Sequence, residues 1–372
     1  MSYVVQAAES FTGPGATISQ VEEYGQGIIH DTYLVKVNNG ACRFILQRIN
    51  KEVFADPGVI MHNLRVIYQH VQAEKERAGR QVDANWQMMH GLTTRDGRDF
   101  FSDADGGFWR ALSFIGGAIP LTRISCLQDA REAGHALGTF HRLVSTLDPA
   151  LLQATLPGFH NIIQYLEKYD TASGRDQGIA EPERYCRKFV ECRRDWAPVL
   201  EYGRRENLLR VRVIHGDPKI NNIMVSWTTG KAVSMIDLDT VMPGLVQYDI
   251  GDCLRSCCNT MGEEAHDLSG VCFDPQRCAA VLSGYTAAAR GFLTGPDFDF
   301  FFDAIRLIPF ELGLRFYTDF LEGNTYFKVS RRDQNLHRAL VQFKLVESIE
   351  EQEERIREII AGCRSCCMPV NR

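Results

Sequence analysis

The 372-residue sequence is 45% hydrophobic and 24% charged, which is the make-up of a globular protein with a substantial core and room for two lobes or domains. A formal charge of −6 gives no general attraction to nucleic acid or to an anionic membrane. No apolar run approaches the roughly 20 residues needed to span a bilayer, and the start, MSYVVQAAESF, lacks the basic head and long apolar run of an export signal; the expected location is therefore cytoplasmic.

In chain order, the first fifty residues read as three strands. Ile18 to Tyr24 leads into Gly25-Gln26-Gly27, Thr32 to Val37 alternates, and Asn38-Asn39-Gly40 turns the chain into Arg43 to Ile49. Val53 to Val71 then places Val59, Ile60, Leu64, Ile67 and Val71 at helical spacing. Extended pieces are expected at Trp86 to Met89 and Phe108 to Phe114, with a turn over Arg95 to Gly107 and a hinge over Ile115 to Pro120. Residues 1–115 thus read as a small antiparallel sheet with one helix. Residues 116–372 read mainly as helix: Ala130, Ala133, Leu137, Phe140 and Val144 share one face, and helical patterns recur over Asn161 to Tyr169 and Pro182 to Tyr202. Arg210 to Asp239 is extended, and helices return from Asp249 onward.

The twelve cysteines are expected to be free thiols in a reducing compartment. The tail Cys363-Arg-Ser-Cys366-Cys367 has the spacing of half a zinc site without a second pair nearby, and Cys253, Cys257 and Cys258 fall on one helix.

The segment that carries chemistry is Val211 to Val225. An apolar strand delivers the turn His215-Gly216-Asp217, Asn222 follows Asp217 by five residues, and a second apolar strand ends at Asp237. The bland alternative is a polar loop between two buried strands. Phosphoryl transfer, however, asks for a carboxylate to take a hydroxyl proton, and for hard oxygen ligands to hold Mg²⁺. Asp217 is the candidate base, Asn222 and Asp237 the candidate metal ligands, and His215 a brace for the turn.

His215-x-Asp217-x4-Asn222 with Ile236-Asp237 resembles the aminoglycoside phosphotransferase-like kinases, and more closely the N-acetylhexosamine 1-kinases among them. Three stretches carry the resemblance: Gly25 to Tyr33; Ile236 to Gly244 with Tyr248 to Asp252; and Arg315 to Asp319 through Tyr326-Phe327-Lys328. It implies an α+β, two-lobed protein-kinase-like fold, with an antiparallel-sheet N-lobe and a mainly helical C-lobe. ATP and Mg²⁺ are the implied cofactors, and an amino sugar phosphorylated at its anomeric hydroxyl is the implied acceptor. The nucleotide would be covered by Gly25, Gly27 and Thr32, neutralised by Arg48, and met at the hinge by Phe114 and Ile115. Arg315 and Tyr326 would bind the sugar with Asp217. A monomer or homodimer is expected, with no nucleic-acid or membrane partner.

The sequence departs from the kinase pattern at the third strand. Gln47 or Arg48 stands where a phosphate-binding lysine is usual, and the next helix, Ile60-Met-His-Asn-Leu64, offers no glutamate to pair with it. Glu311, Arg315 and Asp319 stand one helical turn apart, which by spacing alone reads as an ion-pair ladder. Two other readings stay open: an aminoglycoside, choline or homoserine acceptor, suited by five aspartates against two lysines between Asp217 and Asp252, and a non-catalytic pseudokinase.

Overall fold

A computed structural model describes residues 3–25, 29–78, 85–174 and 180–367. Helix α1 (Tyr3–Ser10), absent from the sequence reading, precedes strands β1 (Ile18–Glu23), β2 (Asp31–Val37) and β3 (Cys42–Arg48). The turn between β2 and β3 uses Asn38 and Asn39 at φ 51° and 56°, followed by Gly40 at 88°, the left-handed region such residues tolerate best. Helix α2 runs over Pro57–Ala78, starting where proline's missing N–H costs nothing.

The remaining sheet strands are β4 (Gly91–Leu92), β5 (Phe101–Ser102) and β6 (Phe108–Ser113). The expected extended piece at Trp86 to Met89 forms no strand, while the expected turn over Arg95 to Gly107 contains β5. The antiparallel order is β1-β2-β3-β6-β4, with β5 also on β6. Its two faces are used differently. Val35, Phe44, Leu46, Trp109 and Ala111 pack under Ala7, Ala8 and Phe11 at α1, whereas Leu112 joins the main core with Ile60, Leu64 and Ile67 of α2.

Past the hinge, β7 (Ala118–Pro120) pairs with a strand of the second lobe, so the expected hinge ends inside a sheet. Helix α3 (Leu127–Leu143) follows, with Asp129 Oδ2 accepting the backbone N–H groups of Ser125 at 2.8 Å and Cys126 at 3.1 Å. Next come α4 (Ile162–Ser173), α5 (Glu181–Glu191) and α6 (Val199–Arg205); the last two replace the single helix expected over Pro182 to Tyr202.

Strands β8 (Arg212–Ile214), β9 (Ile223–Ser226), β10 (Ala232–Met235) and β11 (Met242–Gly244) make two small sheets, β10-β9-β7 and β11-β8. The chain closes with α7 (Val246–Cys258), α8 (Pro275–Ala288), α9 (Gly295–Asp299), α10 (Phe301–Leu321), α11 (Gln334–Glu351) and α12 (Glu353–Cys367). Helices α3 and α8 approach backbone to backbone. A Cβ on Gly134 would stand 1.8 Å from the Val281 carbonyl oxygen, and one on Gly284 2.0 Å from that of Arg131.

All twelve cysteines are free thiols. No helix among the described residues is long and apolar enough to cross a membrane.

Candidate active site

Strand β8 ends at the turn His215-Gly216-Asp217, and the first turn of α7 holds it. Asp249 Oδ2 accepts the His215 N–H at 2.7 Å, and its Oδ1 accepts the Gly216 N–H at 2.8 Å. His141 of α3 reaches the same Oδ2 at 2.8 Å, and its other ring nitrogen meets the Tyr285 hydroxyl at 2.9 Å. Burial alone would raise the Asp249 pKa; the hydrogen bonds from His141 and from the His215 backbone N–H hold it below the ordinary value instead. Gly216 is required here, since it sits at φ +87° and a Cβ would lie 2.6 Å from the Thr240 carbonyl oxygen.

His215 is a brace, as expected. Its Nε2 donates to the Ile236 carbonyl at 3.0 Å, and its Nδ1 accepts the Asp217 N–H at 3.3 Å, which fixes the neutral Nε2–H tautomer. The brace ties the Asp217 turn to the strand end bearing Asp237.

Asp217, Asn222 and Lys219 are gathered at one point. Asn222 Nδ2 donates to the Asp217 carbonyl at 2.7 Å and to Asp217 Oδ2 at 3.3 Å, which leaves the amide oxygen for another partner. Lys219 Nζ donates to Asp217 Oδ2 at 2.5 Å. Burial works against ionisation of both, but their mutual attraction outweighs it: the Asp217 pKa lies below its ordinary value, and that of Lys219 above its own. Lys219 had no role in the sequence reading. Its position two residues after Asp217 in the same turn was the available signal.

Asp237 adopts the left-handed conformation, φ 62° and ψ 54°. That conformation is uncommon for a non-glycine residue and is concentrated at functional sites. Burial first, and then the charge of Asp239, push its pKa up, with Asp217 adding to the rise and Lys219 opposing it. The Asp237 carboxylate and the Asn222 amide oxygen are hard donors of the kind a divalent cation takes, and a cation there would offset the repulsion that Asp239 and Asp217 exert on Asp237. These donors fit Mg²⁺, which Asn222 Oδ1 and Asp237 would hold.

Asp239 is spoken for from the other lobe. Its Oδ2 accepts from His30 Nε2 at 2.8 Å and from Arg110 Nη2 at 2.7 Å. Burial alone would raise its pKa, but Arg110 and His30 hold it far below the carboxylate range.

Several expectations change here. Arg48 stands opposite Asp31 and Trp109 in the sheet ladder, and its guanidinium lies 5.9 Å from the Trp109 ring, on the face covered by α1. Strand alternation turns it away from Asp239, so Arg48 is not the cleft cation. Gln47 takes the inner face instead, donating to Thr32 Oγ1 at 3.1 Å. Gly25 is at φ +79°, and Gly27 lies outside the described residues. Phe114 meets Tyr24 edge-on at 6.3 Å, Ile115 is buried in the main core, and Gln87 pins the following Gly116 through both of its amide atoms.

The ladder expected on α10 does not form. Glu311 Oε1 accepts from His160 Nδ1 at 3.0 Å, while His160 Nε2 donates to the Gly216 carbonyl at 2.9 Å. Both partners accept, so His160 carries hydrogen on both nitrogens. Burial would lower its pKa, but Glu311 outweighs that and raises it.

Arg315 is surrounded by rings, with its guanidinium carbon 5.2 Å from the centroids of Phe159 and Tyr165, 5.5 Å from Phe327 and 5.8 Å from Tyr326. Asp319 caps the loop bearing those last two rings, accepting the N–H groups of Thr325 at 2.9 Å, Tyr326 at 2.8 Å and Phe327 at 3.0 Å. The structure thus brings Arg315 and Tyr326 together, and the negative charge of Asp217 acts on Arg315.

The sequence pattern of the Phosphotransferase enzyme family (APH) matches residues 20–281. The chain belongs to that family. Among solved structures, it is similar to a microcompartment-associated aminopropanol kinase (TM-score 0.61, 16% identity, covering 92% of this chain and 94% of that one). It is also similar to an aminoglycoside phosphotransferase from Alicyclobacillus acidocaldarius (0.58, 14%, 94% and 92%) and to a choline kinase from Cryptosporidium parvum (0.56, 13%, 93% and 92%). At such identities these likenesses establish the fold. The family and the kinase-like fold make the chain a small-molecule phosphotransferase, with the antiparallel sheet in its N-terminal region and helices beyond.

Proposed function

We propose that this family member is an ATP- and Mg²⁺-dependent kinase that phosphorylates the anomeric hydroxyl of an N-acetylhexosamine. The observation that carries the acceptor class is Arg315. Among the described residues it has aromatic neighbours but no hydrogen bond or ion pair. A permanent positive charge within the field of Asp217 disfavours a cationic acceptor and favours a neutral one that offers hydroxyl or amide oxygens. The resemblance of Arg315 and Tyr326 to sugar-binding positions supports the same class.

In this reading Asp217 accepts the proton of the acceptor hydroxyl as that oxygen bonds to the γ-phosphorus and the bond to the β-phosphate oxygen breaks. Magnesium, held by Asn222 Oδ1 and Asp237, would offset phosphate charge. Lys219 stays cationic beside Asp217 and adds a second positive charge where the transferred group carries its own. Gly25 and Thr32 cover the phosphates, and the chain at Phe114 and Ile115 meets the base.

A second acceptor class has one observation in its favour. Asp252 Oδ2 and Glu311 Oε2 are buried without hydrogen-bond partners, and an amine would satisfy them. A phosphorylation screen over N-acetylglucosamine, N-acetylgalactosamine, choline, ethanolamine and aminoglycosides separates the two, with the product position fixed by NMR. An acid-labile sugar 1-phosphate is expected; turnover of amines alone would refute the sugar assignment.

A further inference from the structure

The third strand of a kinase-like lobe ordinarily supplies a lysine, and here its cleft-facing residue is the neutral Gln47. The cross-strand row around it runs Thr32, Gln47, Arg110 over β2, β3 and β6. Gln47 Oε1 accepts from Arg110 Nε at 3.0 Å and from Nη2 at 2.7 Å, so the amide points the neighbouring guanidinium rather than a ligand. From there Arg110 Nη2 crosses to Asp239 Oδ2 at 2.7 Å, with both side chains 1% exposed. His30, its Nδ1 occupied by the Asn50 N–H at 3.1 Å, donates Nε2–H to the same oxygen and is neutral in doing so. Arg110 is therefore the one full positive charge that the described sheet residues bring to Asp239, two residues past the metal-binding Asp237.

We propose that Arg110 takes the place of the strand-three lysine: held by Gln47 and paired with Asp239, it supplies the buried cation that aligns the Asp237–Asp239 turn for the Mg²⁺-nucleotide. The proposal rests on the phosphotransferase reading above and is independent of which acceptor is used. Three features support it beyond the pairing. A buried arginine in a strand that otherwise reads Phe-Trp-x-Ala-Leu is costly to keep unless its charge has work to do. Without Arg110, Lys219 and Arg255 still face Asp217, and Lys219 faces Asp237, but Asp239 loses the arginine that offsets its charge. And Arg110 Nη1 and Asp239 Oδ1 are both buried without a partner, which is unfavourable unless a ligand completes the site. Arg110 is a positioning residue in this scheme, acting on the metal ligand through Asp239.

The test is calorimetric binding of a non-hydrolysable ATP analogue with Mg²⁺ to the full chain, without acceptor. Arg110→Gln should weaken binding about ten-fold or more, Arg110→Lys should recover most of it, and adding Gln47→Lys to Arg110→Gln should restore it to within about three-fold by returning a cation to the third strand. A folded Arg110→Gln protein with unchanged affinity overturns the proposal. So does a loss that neither lysine corrects, since that would mark a merely structural pair. If Arg110→Gln does not fold, Gln47→Leu serves: about three-fold weaker binding is expected, and unchanged affinity overturns the proposal. Lack of binding by the unaltered chain would refute the nucleotide reading itself, whereas normal binding there with no effect of Arg110→Gln refutes only the inference drawn here.

Discussion

Arg110, paired with Asp239, and Arg315, within the field of Asp217, are treated in opposite ways. Arg110 is locked by Gln47 and Asp239 through three hydrogen bonds, while Arg315 rests against four aromatic rings and keeps its hydrogen-bonding capacity. On the proposed nucleotide side, where the ligand would be the same in every turnover, charges are paired between the sheet and the Asp237–Asp239 turn. On the proposed acceptor side the cation is held by aromatic packing, and its donors would be available to a hydroxylated acceptor. Pairing gives precision at a constant task, and packing without pairing leaves selectivity open to change.

The strongest way to sharpen this contrast is to remove the group both sides share. Asp217→Asn should lower kcat about 10³-fold with nucleotide affinity retained, since a proton acceptor acts mainly in the transition state; steady-state kinetics beside nucleotide titration checks it. Next, Asp249→Ala should cost about 3 kcal/mol of stability, because His141 and two turn N–H groups lose a buried carboxylate. Urea denaturation measures that loss, and an unchanged midpoint would break the claim that α7 holds the turn.

Arg315→Leu should raise the acceptor KM about ten-fold while the ATP KM stays put, which is the split expected if the unpaired arginine serves the acceptor alone. A shift in both constants would erase the distinction between the two sides. The smallest effect concerns His160. Its pKa is raised on folding, so its contribution is complete below about 6.5, the unfolded value, and is lost as pH rises through the higher folded value. Stability of the unaltered chain should fall over that alkaline window, and His160→Gln should flatten the profile; identical profiles would remove the imidazolium.

Much of this was legible because it is local. The hairpin at Asn38 to Gly40 and the Asp217–Asn222 spacing each depend on residues within a few positions of one another. The Arg48 reading failed on strand parity, which single-residue register decides. Arg110–Asp239, 129 positions apart, and His160–Glu311, 151 apart, are tertiary pairings with no local signature beyond a charged residue in an apolar context. The α10 ladder misled for the same reason: residues i, i+4 and i+8 share a face, but each found a better partner elsewhere in the fold. The tail cysteines, spaced like half a zinc site, ended on a helix as thiols.

The glycine contact between α3 and α8 has a reach beyond packing. Gly284 adjoins Tyr285, whose hydroxyl begins the chain through His141 to Asp249. A single methyl group at Gly134 or Gly284 would wedge the two helices apart and carry the displacement, by leverage, to the backbone that presents Asp217. The smallest residue is thus needed at these positions for the sake of a turn lying outside that helix pair.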